Sequence, residues 1–215
     1  MITTYTELQT AITEWLGRDQ DTTLIARIPT FVQMCEAKLN RTLFVRQMEQ
    51  RSTTPVDTTQ SEPEFLELPS DFQSMRRIRL SSASGKPSLE FLPGFRLEEF
   101  RTNRADATGQ PQFFTIIGDE IELAPTPDSD YTVEMIYRKN IPALSINSTN
   151  WLLTLAPDLY LYGSLLESAP YIKEDDRLQT WGTLYTASLD ALNNLGMTSA
   201  FNAGPLNMKM SGVTP

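Results

Sequence analysis

The stretch TNWLLTLAPDLYLYGSLLESAPYIKEDDR, residues Thr149 to Arg177, decides the fold. A polar Thr149-Asn150 leads into the apolar Trp151-Leu152-Leu153. Pro157-Asp158 marks a helix start, because proline lacks only an N–H that has no intrahelical partner in a first turn. Leucines and aromatics then alternate through Leu166. Pro170 is expected to break this run, and Glu174-Asp175-Asp176 to open a further helix, acidic residues being favoured at the positive end of the helix dipole. The local reading is two helices joined at a corner, an αα-hairpin.

C-terminal to this stretch, Leu178, Trp181, Leu184, Tyr185, Leu189, Leu192 and Leu195 recur every three or four residues, predicting a helix over 174–195 with Gly196 as its cap. From Met197 to Pro215 no helical period remains, and the segment reads as an extended tail without a fold of its own. At the other end, Leu8, Ile12, Trp15 and Leu16 have helical spacing, and Gly17 is a natural stop before a polar loop over 19–22. A longer helix is predicted over 28–49, with Pro29 in its first turn and a stripe of Phe31, Val32, Cys35, Leu39 and Leu43. Lys38 and Arg41, with Arg46 nearby, line its flank. They read either as a solvated basic edge or as a face for a neighbouring subunit or nucleic acid.

Between Arg51 and Pro142 the texture changes to short apolar runs cut by prolines, which predicts strands. These are placed at 65–68, 75–80, 89–92, 113–117, 120–123 and 131–137, with a short helix from Phe95 to about Arg104. Gly118-Asp119 is a two-residue hairpin turn. Residues 52–63 are expected as an exposed loop or hairpin tip, and 105–111 as a loop. The predicted class is α+β, mainly helical. A helical bundle is built from 1–50 and 143–195, a β-rich insertion spans 51–142, and an extended tail covers 196–215.

Composition narrows the chemistry. The 215 residues carry a net charge of −9, with 40% apolar and 21% charged residues, an ordinary globular balance. No run reaches the roughly 20 apolar residues of a membrane helix, and the N-terminus reads as no signal peptide. The absence of histidine removes Ser-His-Asp and Cys-His catalysis and every His-containing metal site. The single Cys35 cannot form a disulfide within the chain. The acidic balance argues against gripping DNA, which needs Lys and Arg against its phosphates. Glu174, Asp175 and Asp176 are better explained as a helix start than as a cation site. Asp57, Glu62, Glu64 and Glu67 have no spacing that places two carboxyls for glycoside hydrolysis. Tyr160, Tyr162, Tyr171, Trp181 and Tyr185 lie at packing intervals and read as core, not as a base-stacking platform. No catalytic, cofactor or metal residue is assigned.

The wording of Thr149–Leu153 and of Pro157-Asp158-Leu159-Tyr160-Leu161-Tyr162-Gly163 resembles the adaptor proteins of short-tailed, podovirus-type bacteriophages. Further segments match that pattern in order: Tyr5-Thr6-Glu7-Leu8, Arg27–Phe31, Glu36-Ala37-Lys38-Leu39-Asn40-Arg41, Arg46–Glu49, Leu68-Pro69-Ser70-Asp71-Phe72, Gly109-Gln110-Pro111 with Phe113–Ile116, and Leu123–Pro127. The resemblance covers residues 1 to about 195 and leaves the tail outside it. It implies a virion structural protein made in the host cytoplasm and placed at the head-to-tail junction. Copies form a ring, expected to be dodecameric, beneath the portal. The ring extends the DNA exit channel and offers a platform to tail nozzle, tube or fibre proteins. Double-stranded DNA passes through without tight binding, and no reaction is catalysed. Phe201, Leu206, Met208 and Met210 are the expected docking residues for the portal or a neighbour, and Lys38, Arg41, Arg76, Arg77 and Arg79 the expected subunit contacts. The competing readings are a tail-associated peptidoglycan hydrolase and a soluble adaptor with no viral role.

Overall fold

A computed structural model describes residues 1–104, 108–173 and 176–201, the backbone alone over 197–201. The protein is α+β, and the chain divides into two compact units. One holds Met1–Arg46 and the chain from Ile141 onward; the other is Gln47–Asn140.

In the helical unit, α1 (Tyr5–Leu16) begins with a capping box. Thr4 Oγ1 accepts the Glu7 N–H at 3.3 Å, and Glu7 Oε2 accepts the Thr4 N–H at 3.1 Å. Gly17 ends it in the left-handed conformation. The stripe is narrower than the spacing suggests: Leu8, Ile12 and Leu16 are buried, whereas Trp15 is 44% exposed and packs edge-on against Tyr162. The expected polar loop is partly helical, since Asp21 caps a short α2 (Thr22–Ile25).

Helix α3 (Ile28–Thr42) stops well before Glu49. Leu43 turns to extended backbone, Phe44 donates its N–H to Asn193 Oδ1 at 2.8 Å, and Asn193 Nδ2 donates to the Thr42 carbonyl at 3.3 Å. A side chain 150 positions away in sequence thus satisfies the helix end, which no local pattern announces. Arg46–Met48 is a single 3-10 turn.

After the β-unit come α5 (Trp151–Leu155), α6 (Pro157–Ile172) and α7 (Leu178–Phe201). Pro170 does not break α6. It lies in the last turn, where its missing N–H costs one hydrogen bond and little helix follows; the stop comes at Lys173, in the left-handed conformation. The start expected at Glu174 falls instead at Leu178, with Asp176 ahead of it and Glu174 and Asp175 outside the described residues. Nor does Gly196 end α7, which runs on through Phe201. A Cβ there would stand 2.9 Å from the Phe44 carbonyl oxygen, so the glycine serves close packing. Trp181, Tyr185 and Leu192 are buried, while Leu178, Leu184 and Leu195 are exposed. The tail beyond Phe201 lies outside the described residues.

Helix α6 is the centre of this unit, with α1, α3 and α7 packed on it. A Cβ on Gly163 would lie 2.4 Å from Cys35 Sγ, so glycine permits the close approach of α3 and α6. Burial pushes the Cys35 thiol up to about 12, which marks it as inert packing.

The second unit contains β1 (Glu49–Pro55), β2 (Phe65–Glu67), β3 (Phe72–Leu80), β4 (Glu90–Phe91), α4 (Gly94–Asn103), β5 (Phe113–Ile117), β6 (Glu120–Ala124) and β7 (Thr132–Lys139). Strand β1 is a correction, because its polar sequence reads as loop from Ser52. It is an edge strand, paired antiparallel with β7 and closed by Pro55. One sheet is ordered β1-β7-β3 and antiparallel. The other is ordered β2-β6-β5-β4, with β4 parallel to β5. Gly118, at φ 60°, makes the tight turn that pairs Ile117 with Glu120. Inward-facing Leu66, Ile78, Leu80, Phe114, Ile121, Leu123, Val133, Met135 and Tyr137 of both sheets form one buried core. Strands β6 and β7 alternate inward apolar with mostly polar outward residues, whereas β5 also turns Phe113 and Ile117 outward. Within the segment expected as a loop before Pro111, Thr108 forms a parallel bridge with Thr126.

Candidate assembly surfaces

The signature residues of the helical unit converge on one buried polar network. Asn150 caps α5: its Oδ1 accepts the Leu153 N–H at 2.8 Å. Its Nδ2 donates at 2.8 Å both to the Pro142 carbonyl and to Tyr160 Oη. The Tyr160 hydroxyl donates in turn to Glu36 Oε1 at 3.3 Å, and the same oxygen accepts the Leu144 N–H at 2.9 Å. One turn further along α3, Asn40 Oδ1 accepts the Ile141 N–H at 2.8 Å. Glu36 and Asn40 therefore hold 141–144, the segment that leads back into the helices. Burial raises the Glu36 carboxyl and also the Tyr160 hydroxyl. Asn150, Glu36 and Asn40 each bond backbone, and Tyr160 ties Asn150 to Glu36, so the motif makes the helical unit rather than a ligand site.

Expected contact residues separate into two groups. Lys38 pairs with Glu167 at 3.3 Å and lies 5.1 Å from the Tyr185 ring centre, bracing α3 against α6 and α7. Arg41 is exposed in the last turn of α3. Arg76, Arg77 and Arg79 lie on β3 in the other unit. A bulge between Met75 and Arg77 leaves Arg76 without a paired partner residue on β7.

Strand register gives these arginines company. Arg77 and Arg51 both stand opposite Ile136, Arg79 and Thr53 both opposite Glu134, and Ser74 and Glu49 both opposite Arg138. The outer face of the three-stranded sheet thus collects Arg51, Arg76, Arg77, Arg79 and Arg138 with, among the described residues, two carboxylates, Glu49 and Glu134. Glu134 is 3% exposed and receives Arg51 and Arg79, each at 2.6 Å. The Arg51 hydrogen bond, above all, holds its carboxyl below the ordinary range. Arg76 pairs with Glu49 at 3.1 Å. Arg138 is lowered by burial and by the charge of Arg76, a sign of like-charge crowding. Arg51, Arg138 and Glu134 are the residues that sequence reasoning missed. Only the β1–β7 pairing brings them together, and the polar sequence of β1 hides that pairing.

The outer side of the four-stranded sheet carries the opposite sign. Helix α4 covers part of it, through buried Leu97, the Phe100–Phe113 ring pair at 5.0 Å, and Arg101, which donates to Glu122 Oε1 at 2.9 Å and to the Leu123 carbonyl at 2.8 Å. Outside that cover, Glu67 on β2 faces Glu120 on β6, both exposed, with Asp119 in the adjoining turn and Ile117 beside them, 52% exposed.

The remaining expected docking residues lie outside the description: the side chain of Phe201, and Leu206, Met208 and Met210 altogether. Asp57 is engaged by Thr59, Glu62 is exposed in the loop before β2, and Glu64 passes its carbonyl to the Leu123 N–H. Among the described residues no three His, Cys, Asp or Glu side chains are placed to hold a metal ion, and no helix is long and apolar enough to cross a membrane.

A family model described as the SU10 adaptor protein matches residues 3–209, taking in both units and reaching past Gly196 into the segment that the sequence resemblance leaves outside. No curated protein matches the chain. A match of that extent settles the family: the chain belongs to the SU10 adaptor proteins, structural proteins of bacteriophage.

Proposed function

We propose that this adaptor works at the head-to-tail junction of a short-tailed, podovirus-type virion. Copies close into a ring, dodecameric in this reading, beneath the portal. The ring extends the channel through which DNA leaves, and its lower rim receives nozzle, tube or fibre proteins. The family match over 3–209 carries the reading. The helical unit supports it, since its buried polar residues Glu36, Asn150 and Tyr160 are spent on internal scaffolding, as suits a building block that catalyses no reaction. No observation favours a peptidoglycan hydrolase.

In this reading Phe201, Leu206, Met208 and Met210 anchor the chain to the portal or to an adjacent copy. Each apolar side chain buried there would contribute about 1.5–3 kcal/mol, and repetition around the ring multiplies the effect. A ring of chains that each carry −9 presents a mostly acidic or neutral surface to passing DNA in this reading. Electron microscopy of the purified protein with its portal tests the proposal. Closed rings capping portal particles are expected. A portal left bare at saturating protein overturns it. Truncation after Phe201 is expected to weaken portal capture while leaving the melting temperature unchanged.

A further inference from the structure

We infer that the two outer faces of the β-unit are the two halves of one repeated contact: the arginine face of the three-stranded sheet in one copy docks on the carboxylate side of the four-stranded sheet in the next. This rests on the ring reading above and names the surfaces that build it.

The first argument is geometric. The two sheets share one core, so their outer faces point away from each other. A head-to-tail contact needs two different, complementary patches pointing in different directions on one subunit, and a rotation that closes makes a ring of them.

Charge selects the partner. The chain carries −9 overall, so two copies meeting at arbitrary surfaces repel. On the arginine face Arg51, Arg76, Arg77 and Arg79 outnumber Glu49 and Glu134 among the described residues, which makes it the face that attracts the rest of the molecule. Arg77 is exposed and has no ion pair among the described residues. On the other side Glu67 and Glu120 stand directly opposite in register, a repulsive cross-strand pair that a cation from outside would relieve. Ile117, exposed beside them, supplies an apolar contact.

The same face fits duplex DNA poorly. Arg51 and Arg79 are turned onto Glu134, and Arg76 onto Glu49, so a phosphate would compete with carboxylates built into the surface. A partner that presents separate carboxylates need engage only Arg77, which makes no ion pair among the described residues, while Arg76 beside it stays on Glu49.

Charge reversal with mixing tests this. The variants are R76E/R77E, altered on one face, and E67K/E120K, altered on the other, each checked for an unchanged melting temperature. Sedimentation reads self-association. Each variant alone is expected to associate at least about tenfold more weakly than the unaltered chain. The two mixed one to one are expected to recover assembly, because every contact then pairs opposite charges around an alternating ring. Variants that assemble as well as the unaltered chain, or a mixture that fails to recover, overturn the inference and leave the ring reading standing. R76E/R77E that assembles normally but loses DNA retention gives the face to nucleic acid and overturns it too. No association of the unaltered chain, at any concentration and with portal present, overturns both.

Discussion

Asn150 and Tyr160 are joined side chain to side chain, Nδ2 to Oη at 2.8 Å, with both residues buried. The bond links the cap of α5 to the core face of α6, and Glu36 extends it to α3. Asn150→Ala removes the cap from the Leu153 N–H and the donor from the Pro142 carbonyl together. A lost cap costs about 0.5–2 kcal/mol, and each buried group left unpaired about 1–3. The expected total is about 2–4 kcal/mol, read as a lower urea midpoint. Tyr160→Phe keeps the cap and the Pro142 bond, so it is expected to cost less than Asn150→Ala. The reverse order contradicts the network.

Gly163 meets Cys35 and Tyr185 at the crossing of α3, α6 and α7. Gly163→Ala would gain helix propensity, about 1 kcal/mol, yet its Cβ would stand 2.4 Å from Cys35 Sγ and 3.0 Å from the Tyr185 ring. Overpacking of this kind costs about 1–3 kcal/mol, so net destabilisation is expected. Removing the sulfur should return the space. A thermal-melting cycle with Cys35→Ala is expected to show favourable coupling in the double variant. Simple additivity counts against the close approach.

Trp181 is 2% exposed, with the Arg177 guanidinium 4.9 Å from its ring centre, on the face of α7 that packs on α6. Trp181→Ala is expected to cost about 3–5 kcal/mol, and melting of the purified variant measures it. Leu184→Ala, three residues on and exposed, is expected to stay within about 0.5 kcal/mol of the unaltered chain. Equal losses at the two positions exclude the assigned face of α7.

What was legible in the sequence is what local chemistry decides. Pro157, and Gly118 at its turn, each act within a few residues, and each places its element as the pattern predicts. The misread boundaries were fixed from a distance. Asn193 finishes α3, Phe44 and Val45 crowd Gly196 inside α7, and β7 turns the polar run at Glu49–Pro55 into a strand. For the candidate surfaces the same division holds. Arg76, Arg77 and Arg79 are visible as a cluster on one strand. Their joining with Arg51 and Arg138 needs register, which one strand's sequence does not contain.

Two buried carboxylates give the protein opposite responses to pH, one in each unit. Burial raises Glu36, so the unfolded chain ionises first as pH rises. Its contribution is favourable below the unfolded value of about 4.3 and is lost as pH climbs through the raised folded value. Glu134 is lowered, first by its hydrogen bond from Arg51 and then by that residue's charge and by Arg79. Its contribution is present above the unfolded value and disappears as pH falls through the folded one. Glu36→Gln keeps an oxygen for the Leu144 N–H and the Tyr160 hydroxyl. It is therefore expected to gain stability relative to the unaltered chain on passing from pH 4 to pH 7. Glu134→Gln leaves Arg51 and Arg79 facing a neutral group, and is expected to lose most at pH 7 and least in acid. Urea melts of both variants across that range check the signs. A Glu36→Gln chain that falls behind as pH rises, or a Glu134→Gln chain penalised most in acid, reverses the electrostatics assigned to that unit.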